Sequence, residues 1–311
     1  MKVVVSGATG LVGGRLLPAL CARGHSVSAL TRDPERARSE LPREVDALRW
    51  DARSAPPTAA LEGADALIHL AGETVVGRWT RSKRAAIRDS RVLGTRALVS
   101  ACAALERPPA LICASAMGYY GERGDTVLDE AASAGEGFLS EVCQAWEAEA
   151  RAHAAREVRL RIGLVLDPRG GALEALLTPY RLALGGRLGS GRQWWSWIHA
   201  DDLVRLIVWA LETPEVAGPL NATAPEPVTQ AEFARTLAAA LGRPAWLPVP
   251  ETALRLVLGG FSAELLTSRR VVPQAALDQG FEFEFTRLEG ALADLLGPRA
   301  RGGAHAPHPT A

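Results

Sequence analysis

The stretch VVVSGATGLVG, residues 3–13, decides the fold of this chain. Its three consecutive valines predict a strand that is buried on both faces of a parallel sheet. Glycines follow at positions 7, 10 and 13, and an apolar segment with helical spacing comes directly after them. Small residues let the backbone approach a pyrophosphate, and the first turn of a helix offers it unpaired N–H groups. The stretch therefore predicts a dinucleotide-binding strand–loop–helix unit rather than a purely structural turn.

The rest of the chain repeats this alternation of strand and helix. Further strands are predicted at 26–30, 66–70, 110–114, 158–162 and 219–221, and helices at 81–104, 138–155, 201–211, 229–241 and 250–258. Strands that alternate with helices imply parallel pairing with helices on both faces of the sheet. The predicted fold class is therefore α/β, a Rossmann-type doubly wound parallel sheet with a smaller C-terminal cap.

The alternation breaks after Leu166, which sets the predicted domain boundaries. Residues 1–166 form the dinucleotide-binding domain, and 198–222 return to it. Residues 167–197 and 223–297 form the substrate and cap region, whose last part, 262–296, reads as helical. The Gly-, Pro- and His-rich tail, 298–311, has the composition of a disordered segment.

Composition excludes several classes of function. The 311 residues carry 35 basic and 35 acidic side chains, and a zero net charge argues against nucleic-acid binding. No apolar run reaches the length of a membrane span, and the N-terminus lacks a signal-peptide layout. The four cysteines form no CxxC pair, so we expect no metal site and a reduced, cytoplasmic setting. Of the 35 basic residues, Lys2 and Lys83 alone are lysines.

The tip of the second strand bears on the choice of cofactor. The strand ends in Thr31, Arg32 and Asp33. An NAD-selective site usually has an acidic residue here, bonded to the ribose 2′-hydroxyl, whereas an arginine can pair with a 2′-phosphate. We therefore expect NADP, while the neighbouring Asp33 leaves NAD open as the less favoured cofactor.

Several short motifs join the glycine stretch. They are Leu70-Ala71-Gly72, Tyr120-Gly121 and Trp197–Leu203, with the finer features Ala71-Gly72-Glu73, Ser90–Thr95, Ser115–Gly121 and Trp146-Glu147. Together they resemble the extended short-chain dehydrogenase/reductases, the NAD-dependent epimerase/dehydratase family, over residues 1 to about 245. With the C-terminal cap, the chain is similar to an atypical branch labelled as sugar-nucleotide epimerases or oxidoreductases. Some members of that branch carry a cell-division-inhibitor label, and its substrate is generally unassigned.

The resemblance implies a set of cofactor contacts. It assigns the pyrophosphate to Gly7, Thr9, Gly10, Leu11 and Val12, and the adenosine ribose to Thr31 and Arg32. It assigns the adenine edge to Asp51 and the nicotinamide ribose to Leu70, Ala71 and Gly72. Arg91 lies on the helix that flanks the cofactor, and Gly163, Leu164 and Val165 meet the carboxamide. For the apolar members, simple core packing is the alternative.

The family's usual catalytic pair is missing. A Tyr-x3-Lys pair normally supplies the base, since the lysine favours the phenolate. Alignment on Trp146-Glu147 puts Leu139 at the tyrosine position and Cys143 at the lysine position, and neither side chain can substitute. The nearest imitation, Tyr119-x3-Arg123, lies in a loop, and neither lysine has the required spacing.

Other side chains follow the strands at the edge where ligands bind in such sheets. Glu73, Ser115 and Tyr119 are the candidate catalytic residues. For Glu73 the alternative is a helix cap or a salt bridge with Arg78 or Arg81. We interpret Cys143 as an apolar filler near the nicotinamide.

The remaining polar features have plainer interpretations. The segment His199–Asp202 reads as a turn before a helix, capped by Asp201 or Asp202, rather than as a metal site. Trp194, Trp195 and Trp197 either wall a substrate cleft or pack the cap on the sheet. Arg181, Arg187 and Arg192 are candidate substrate contacts, and Arg269-Arg270 reads as a solvated charge pair.

Two functions follow from these residues. The first is an NADP-dependent oxidoreductase or epimerase acting on a small-molecule or nucleotide-linked substrate. The second is a non-catalytic dinucleotide-binding sensor or scaffold linked to cell division. The missing tyrosine and lysine favour the second, and an intact glycine loop fits both. The oligomeric state and the substrate stay open.

Overall fold

The structure is a computed structural model that describes residues 1–52 and 54–297; the predicted tail, 298–311, lies outside the described residues. Its strands, in chain order, are β1 Lys2–Ser6, β2 Ser26–Thr31, β3 Asp46–Arg49, β4 Ala66–His69, β5 Ala110–Ala116, β6 Val127–Leu128, β7 Glu157–Ile162, β8 Leu164–Leu166, β9 Trp194–Trp195, β10 Trp197–His199, β11 Gly218–Ala222, β12 Val228–Thr229 and β13 Arg270–Val271.

The helices, in the same order, are α1 Gly13–Ala22, α2 Pro34–Ala37, α3 Thr58–Leu61, α4 Arg81–Ala103, α5 Phe138–Arg151, α6 Gly171–Arg181, α7 Ala200–Glu212, α8 Gln230–Ala240, α9 Glu251–Leu258, α10 Ser262–Leu266, α11 Gln274–Asp278 and α12 Leu288–Leu296. Short 3₁₀ turns lie at Met117–Tyr120 and Gly259–Phe261.

Seven strands form one parallel sheet in the order β11-β7-β5-β4-β1-β2-β3. The chain builds outward from β1 in one direction and then, from β4 onward, in the other. The strand order therefore reverses between β1 and β4, where Val3 lies opposite Ala66. Open α/β sheets bind ligands in the crevice at such a switch point, beyond the carboxyl ends of the strands. The predicted Rossmann-type class is confirmed.

The valine run explains why β1 lies in the middle of the sheet. Val3, Val4 and Val5 are fully buried, as expected for a strand covered by helices on both faces. On one face they pack with Leu16 and Leu17 of α1 and with the apolar side of α7. On the other face Val4 packs with residues of α4 and α5, including Leu98 and Trp146. The glycine loop therefore begins at the end of a strand whose position is fixed by packing on both faces.

The cap has its own apolar cluster, which includes Leu173, Trp197, Phe233 and Leu292. It is not purely helical, contrary to the prediction for 262–296. Strand β13 pairs in parallel with β6, so the cap is tied to the loop after β5. Short two-residue strands leave little trace in a sequence, because period-2 alternation needs more residues. The predicted domain boundaries remain a prediction.

None of the described helices combines the length and the apolar character that a membrane crossing requires.

Candidate functional site

The glycine loop between β1 and α1 is held by steric contacts within the protein. Gly7 has a φ of +76°, and a Cβ there would lie 2.7 Å from the amide nitrogen of Ala71. A Cβ at Gly13 would lie 2.3 Å from the carbonyl oxygen of Gly7 and 2.6 Å from that of Ala8. Side chains at these two positions would collide with backbone atoms. The spacing therefore packs the loop against the segment after β4 and against the first turn of α1.

The N-terminus of α1 is open to an anion. Its N-cap is Val12, and within the described part of the chain no side chain accepts a hydrogen bond from the helix's first N–H groups. Thr9 and Gly10 are exposed just before it. Unpaired N–H groups and the positive end of the helix dipole favour a phosphate at this place. The loop fits a pyrophosphate by its chemistry.

A pocket of about 260 Å³ opens at the switch point of the sheet. Residues from the ends of β1, β2, β3 and β4 and from α4 line it: Gly7, Ala8, Thr9, Gly10, Leu30, Thr31, Arg32, Trp50, Asp51, Ala52, Leu70, Ala71, Gly72, Glu73 and Ser90. Most of the cofactor contacts implied by the resemblance are thus brought together around one cavity.

A second pocket, of about 190 Å³, adjoins the first and shares Thr9, Thr31 and Arg32 with it. Arg36 also lines it. The carboxylate of Asp33 accepts a hydrogen bond from the backbone N–H of Arg36 and caps α2. Asp33, the residue that leaves NAD open, therefore has a structural role. Glu40 also lines this pocket and accepts a hydrogen bond from the Arg36 Nε at 3.2 Å. Arg32, at the tip of β2, is the side chain that favours a 2′-phosphate here.

The other predicted cofactor residues do not line these two pockets. Leu11 lines a shallow neighbouring pocket with Thr9, Gly10, Gly14, Arg169 and Gly170, and Val12 lies half-buried at the helix start. The segment Gly163–Val165 is half-buried at the carboxyl end of β7, where the N–H of Leu164 bonds the carbonyl of Ser196.

Arg91 lies behind the loop after β4. Its guanidinium donates to the carbonyl oxygen of Glu73 at 2.9 Å and lies over the ring of Trp146, 5.2 Å from the centroid. Burial lowers the pKa of Arg91 from its ordinary value. The N–H of Glu73 donates to the Ser90 hydroxyl at 3.0 Å. Both peptide groups of Glu73 are thus held by α4, which fixes the segment that faces the cofactor pocket.

The Glu73 side chain is paired with Lys83. The Lys83 Nζ donates to the Glu73 Oε1 at 2.6 Å, and the two side chains are 21% and 39% exposed. The alternative of a salt bridge at Glu73 is therefore met, but its partner is Lys83, so the naming of Arg78 or Arg81 as the partner is wrong. Sequence spacing around the family's catalytic helix could not reveal this contact, because Lys83 belongs to a different helix, α4. The rarity of lysine in this chain was the available signal.

Helix α5 carries the family's catalytic positions, and both are apolar in character. A Cβ at Gly118 would lie 3.4 Å from the Leu139 Cβ and 3.6 Å from the Cys143 Sγ, so the two residues face the turn after β5. Cys143 is 3% exposed, and burial raises the pKa of its thiol to about 11. A neutral buried thiol of this kind agrees with its interpretation as an apolar filler.

Ser115 belongs to a buried polar network. Its hydroxyl donates to the Glu147 carboxylate at 2.8 Å, and Arg161 donates to the same carboxylate through Nε at 2.9 Å. Burial acts to lower the pKa of Arg161, but the hydrogen bonds and the charges of Glu147 and Tyr120 together outweigh it and raise that pKa. Arg161 also donates to the Tyr120 hydroxyl, which in turn donates to Asn221. The Ser115 hydroxyl is therefore engaged below the surface of the crevice.

Tyr119 lies above this network. The Arg161 guanidinium sits 3.6 Å from the centroid of its ring, and the ring of Tyr120 contacts it edge to face. Its carbonyl oxygen accepts a hydrogen bond from the Ser140 hydroxyl at the start of α5. Tyr119 is half-buried on the same turn as Gly118, on the α5 side of the crevice.

His69, the last residue of β4, is a titratable group that sequence reasoning did not select. It is fully buried, its Nδ1 lies 2.6 Å from the Ser6 hydroxyl, and its ring contacts Trp50 edge to face. Burial, aided by the positive charge of Arg91, lowers the pKa of His69 to about 4. The ring is therefore neutral at ordinary pH and supports the strand end beside the pocket.

Arg269 and Arg270 of the cap, which were predicted to be solvated, pack against other residues. Arg269 is 5% exposed, donates to the carbonyl of Gly121 and ion-pairs with Glu264. Arg270 stacks on Trp194, 4.2 Å from the ring centroid. The prediction of a solvated pair is wrong, because strand β13 turns these residues toward the loop after β5.

The other aromatic and basic candidates divide between core and surface. Trp195 and Trp197 are buried in the cap cluster, so they pack the cap, while Trp194 stays half-buried. The three candidate substrate arginines, Arg181, Arg187 and Arg192, are exposed on the cap side.

The turn before α7 is capped differently from the prediction. The N-cap is His199, whose Nδ1 accepts a hydrogen bond from the N–H of Asp201, so the expectation of an aspartate cap is wrong. Asp202 is buried and accepts the backbone N–H groups of Glu284 and Phe285 instead. Both residues fix the junction of the sheet domain with the cap.

Ligand atoms of His199, Asp201 and Asp294 lie within 4.8 Å of one another. Arg15 forms an ion pair with Asp201 at the same place, and burial lowers the pKa of His199. A guanidinium that already neutralises one carboxylate disfavours a cation there. We retain the interpretation of this segment as a structural turn.

Sequence comparison places these features in a known family. The NAD dependent epimerase/dehydratase family matches residues 3–222, and a domain of unknown function, DUF1731, matches 249–295. The chain belongs to the NAD dependent epimerase/dehydratase family. The resemblance read from the glycine loop and the later motifs is confirmed, and DUF1731 corresponds to the C-terminal cap.

Relatives in this family match along almost the whole chain. A protein of Arabidopsis thaliana named epimerase family protein SDR39U1 homolog, chloroplastic, is 38% identical and covers 95% of this chain and 87% of its own. The crystal structure of human epimerase family protein SDR39U1 (isoform 2) with NADPH matches with a TM-score of 0.86 and 36% identity, over 96% of this chain and all of the other. A nucleoside-diphosphate sugar epimerase of Corynebacterium glutamicum matches with a TM-score of 0.76 and 34% identity, over 97% of this chain and 60% of the other.

Proposed function

We propose that this chain is an NADP(H)-dependent oxidoreductase or epimerase of the extended short-chain dehydrogenase/reductase type that works without the Tyr-x3-Lys pair. The observation that carries the proposal is the pocket at the switch point, where the glycine loop and the β2 tip with Arg32 meet. The human relative that matches over its full length was crystallised with NADPH. In this chain Asp33 caps α2 and leaves Arg32 beside the ribose position.

The residues divide the cofactor between them. Thr9, Gly10, Leu11 and Val12 hold the pyrophosphate at the α1 N-terminus, and Gly7 keeps the loop closed on Ala71. Thr31 and Arg32 hold the adenosine ribose and its phosphate, and Asp51 takes the adenine edge. Leu70, Ala71 and Gly72 face the nicotinamide ribose; Arg91 braces them from behind; and Gly163, Leu164 and Val165 meet the carboxamide. When bound, a reduced nicotinamide supplies a hydride.

Three residues surround the proposed reaction site. Glu73 lines the cofactor pocket and is reached by water, so it can exchange protons with solvent. Tyr119 and Ser115 form the opposite, α5-facing side, with Ser115 holding Glu147 and Arg161 beneath Tyr119. The substrate in this proposal is a small or nucleotide-linked molecule. The C. glutamicum relative, by its name, acts on nucleoside-diphosphate sugars. We also propose a cytoplasmic location.

The test is to identify the nucleotide that co-purifies with the protein and then to screen metabolites against the fluorescence of bound NADPH. We expect NADP(H) in the purified protein and oxidation of NADPH by at least one carbonyl compound. Purification with NAD(H) alone would contradict the cofactor, and tight NADPH binding without turnover of any compound would favour the sensor.

One observation favours the second candidate, a non-catalytic sensor or scaffold. Trp246, Leu256 and Val257 of the cap are 74%, 79% and 69% exposed. Exposed apolar side chains of this size can mark a partner surface. A scaffold linked to cell division would bind NADPH, show no turnover and lose a partner when Trp246 and Leu256 are replaced by serine.

A further inference from the structure

Lys83 is unusual in this chain because nearly all the other basic residues are arginine. The chain uses arginine at 33 positions and lysine at two. Lys2 is at the N-terminus, where its ammonium donates to the exposed Glu62 carbonyl. Lys83 is the other, and it reaches the edge of the cofactor pocket through Glu73. An ammonium can release a proton and a guanidinium in a protein cannot. A lysine kept at this place in an arginine-rich chain points to proton transfer.

Local structure holds the Lys83 side chain on Glu73, which lines the pocket. Thr80 caps α4 by accepting the backbone N–H of Lys83, so the helix begins at a fixed residue. The next turns of the same helix place Ser90 and Arg91 on the two peptide groups of Glu73. The backbone of Glu73 is thus held by α4, and its carboxylate is bonded to Lys83. Both contacts give the lysine–glutamate pair one ordered geometry.

Apart from Tyr119, which is half-buried over Arg161, the other proton-bearing candidates near the crevice are engaged or deeply buried. Burial raises the pKa of Cys143 to about 11 and that of Tyr120 to about 12, and Tyr120 is bonded to Arg161 and Asn221. The Ser115 hydroxyl is held by Glu147. The Lys83–Glu73 pair, in contrast, is partly exposed, so protons can return to it from water.

We infer that Lys83 is the proton donor and acceptor of this site, taking the place of the family's pair on α5, and that Glu73 is its positioning residue. This inference rests on the proposed function. As the carbonyl carbon of the substrate gains a hydride from the reduced nicotinamide, an N–H bond of the Lys83 ammonium breaks and an O–H bond forms on the substrate oxygen. The resulting amine regains a proton from water through the Glu73 carboxylate. The reverse direction takes a proton from an alcohol.

The first test uses the scarcity of lysine and needs no substrate. In the Lys2→Arg variant, lysine labelled with ¹³C at Cε gives one NMR signal, that of Lys83. Oxidised nicotinamide carries a positive charge and reduced nicotinamide does not, so a neighbouring ammonium senses the difference. We expect distinct Lys83 signals in the saturated NADPH and NADP⁺ complexes. Identical signals in the two complexes would overturn the inference.

The second test separates proton transfer from simple charge. The Lys83→Arg variant keeps a cation beside Glu73, and cyclohexanone, a monoketone that does not condense with guanidinium groups, serves as a small carbonyl probe for NADPH oxidation. We expect turnover to fall about 100-fold or more, which is the usual contribution of general acid catalysis, with the NADPH Kd within about threefold of wild type. Turnover within about tenfold of wild type would overturn the inference. If wild type leaves the probe unreduced, the NMR comparison decides.

The proposed function and this inference fail in different ways. Absence of NADPH binding to the wild-type chain in calorimetry contradicts the proposed function itself. If NADPH binds normally but the Lys83 NMR signal is the same in the NADPH and NADP⁺ complexes, only the inference is contradicted. The Lys83→Met variant adds a control for anchoring: a large loss of NADPH affinity in Lys83→Met that Lys83→Arg restores would show a phosphate anchor, and would also overturn the inference.

Discussion

The glycine-loop region and the helix α5 region border the same crevice. The first keeps the residues that the family pattern predicts, and the second does not. Around the loop, Gly7, Gly13 and the uncapped start of α1 keep every feature that a pyrophosphate needs. On α5, Leu139 and Cys143 fall at the positions that the resemblance assigns to the usual catalytic pair. Glu73, just after β4, lines the pocket instead and pairs with Lys83 of α4. The comparison teaches that the glycine loop can keep its form in this fold while the residues at the expected catalytic positions on α5 change.

The largest expected effect comes from breaking the loop region. In Gly13→Ala the new Cβ would lie 2.3 Å from a backbone oxygen that cannot move away. We expect a loss of about 3 kcal/mol in the free energy of unfolding and no measurable NADPH binding. Urea unfolding and calorimetry provide the measurements.

Gly14→Ala is the matched control for that substitution, because a Cβ there meets no described atom within 4 Å. Alanine is also the better helix former, so this variant should be equally or more stable. If both variants unfold alike, the steric account of the loop is wrong.

The free energy of unfolding should depend on pH through His69, which lies at the end of β4 beside the pocket. Its folded-state pKa, about 4, lies below the ordinary value of 6.5, so the unfolded chain binds the proton more readily between these values. Stability therefore falls as the pH drops from about 6.5 to about 4, by about 3 kcal/mol from this group. Denaturant unfolding at several pH values should show a weaker decline in His69→Gln than in wild type. Parallel declines in the two proteins would rule out His69 as the source.

A smaller effect concerns the adenosine end of the loop region. Arg32→Asp replaces attraction of a 2′-phosphate by repulsion and should weaken NADPH binding about 10- to 100-fold, removing or inverting the preference over NADH. Calorimetric titration of both cofactors measures this. Equal affinity of the wild-type chain for NADPH and NADH would count against the role of Arg32.

The smallest effect is expected in the α5 region. Leu139→Ala and Cys143→Ala should leave turnover within about tenfold of wild type, or about 1.4 kcal/mol of barrier, because neither side chain moves a proton at the site. Steady-state kinetics with cyclohexanone or a substrate from the screen would show it. A loss beyond about 100-fold in Cys143→Ala, with fold and NADPH affinity intact, would mean that the thiol takes part in the reaction.

The sequence predicted the loop region well because its determinants are local. The valine run, the three glycines and Arg32 all lie within residues 3–32, so one short stretch predicts the strand, the loop and the next strand tip, although Gly7 itself packs on Ala71. Glu73 was selected because it directly follows a strand, but its partner Lys83 comes from the next helix. Likewise, the burial of Arg269 depends on pairing between β13 and β6, far apart in the chain. Contacts of this kind depend on tertiary packing, which residue spacing does not encode.

The account's central claim is that proton transfer has moved from α5 to the Lys83–Glu73 pair beside an ordinary nicotinamide site. A crystal structure of this chain with NADP⁺ measures it directly, through the distances from the nicotinamide C4 to the Lys83 Nζ, the Glu73 carboxylate and the Tyr119 hydroxyl. The account predicts that the Lys83 Nζ lies within the reach of one bridging water, about 6 Å. If the Lys83 Nζ lies beyond that reach while the cofactor fills the pocket, the claim is contradicted, and the non-catalytic binding protein becomes the better description.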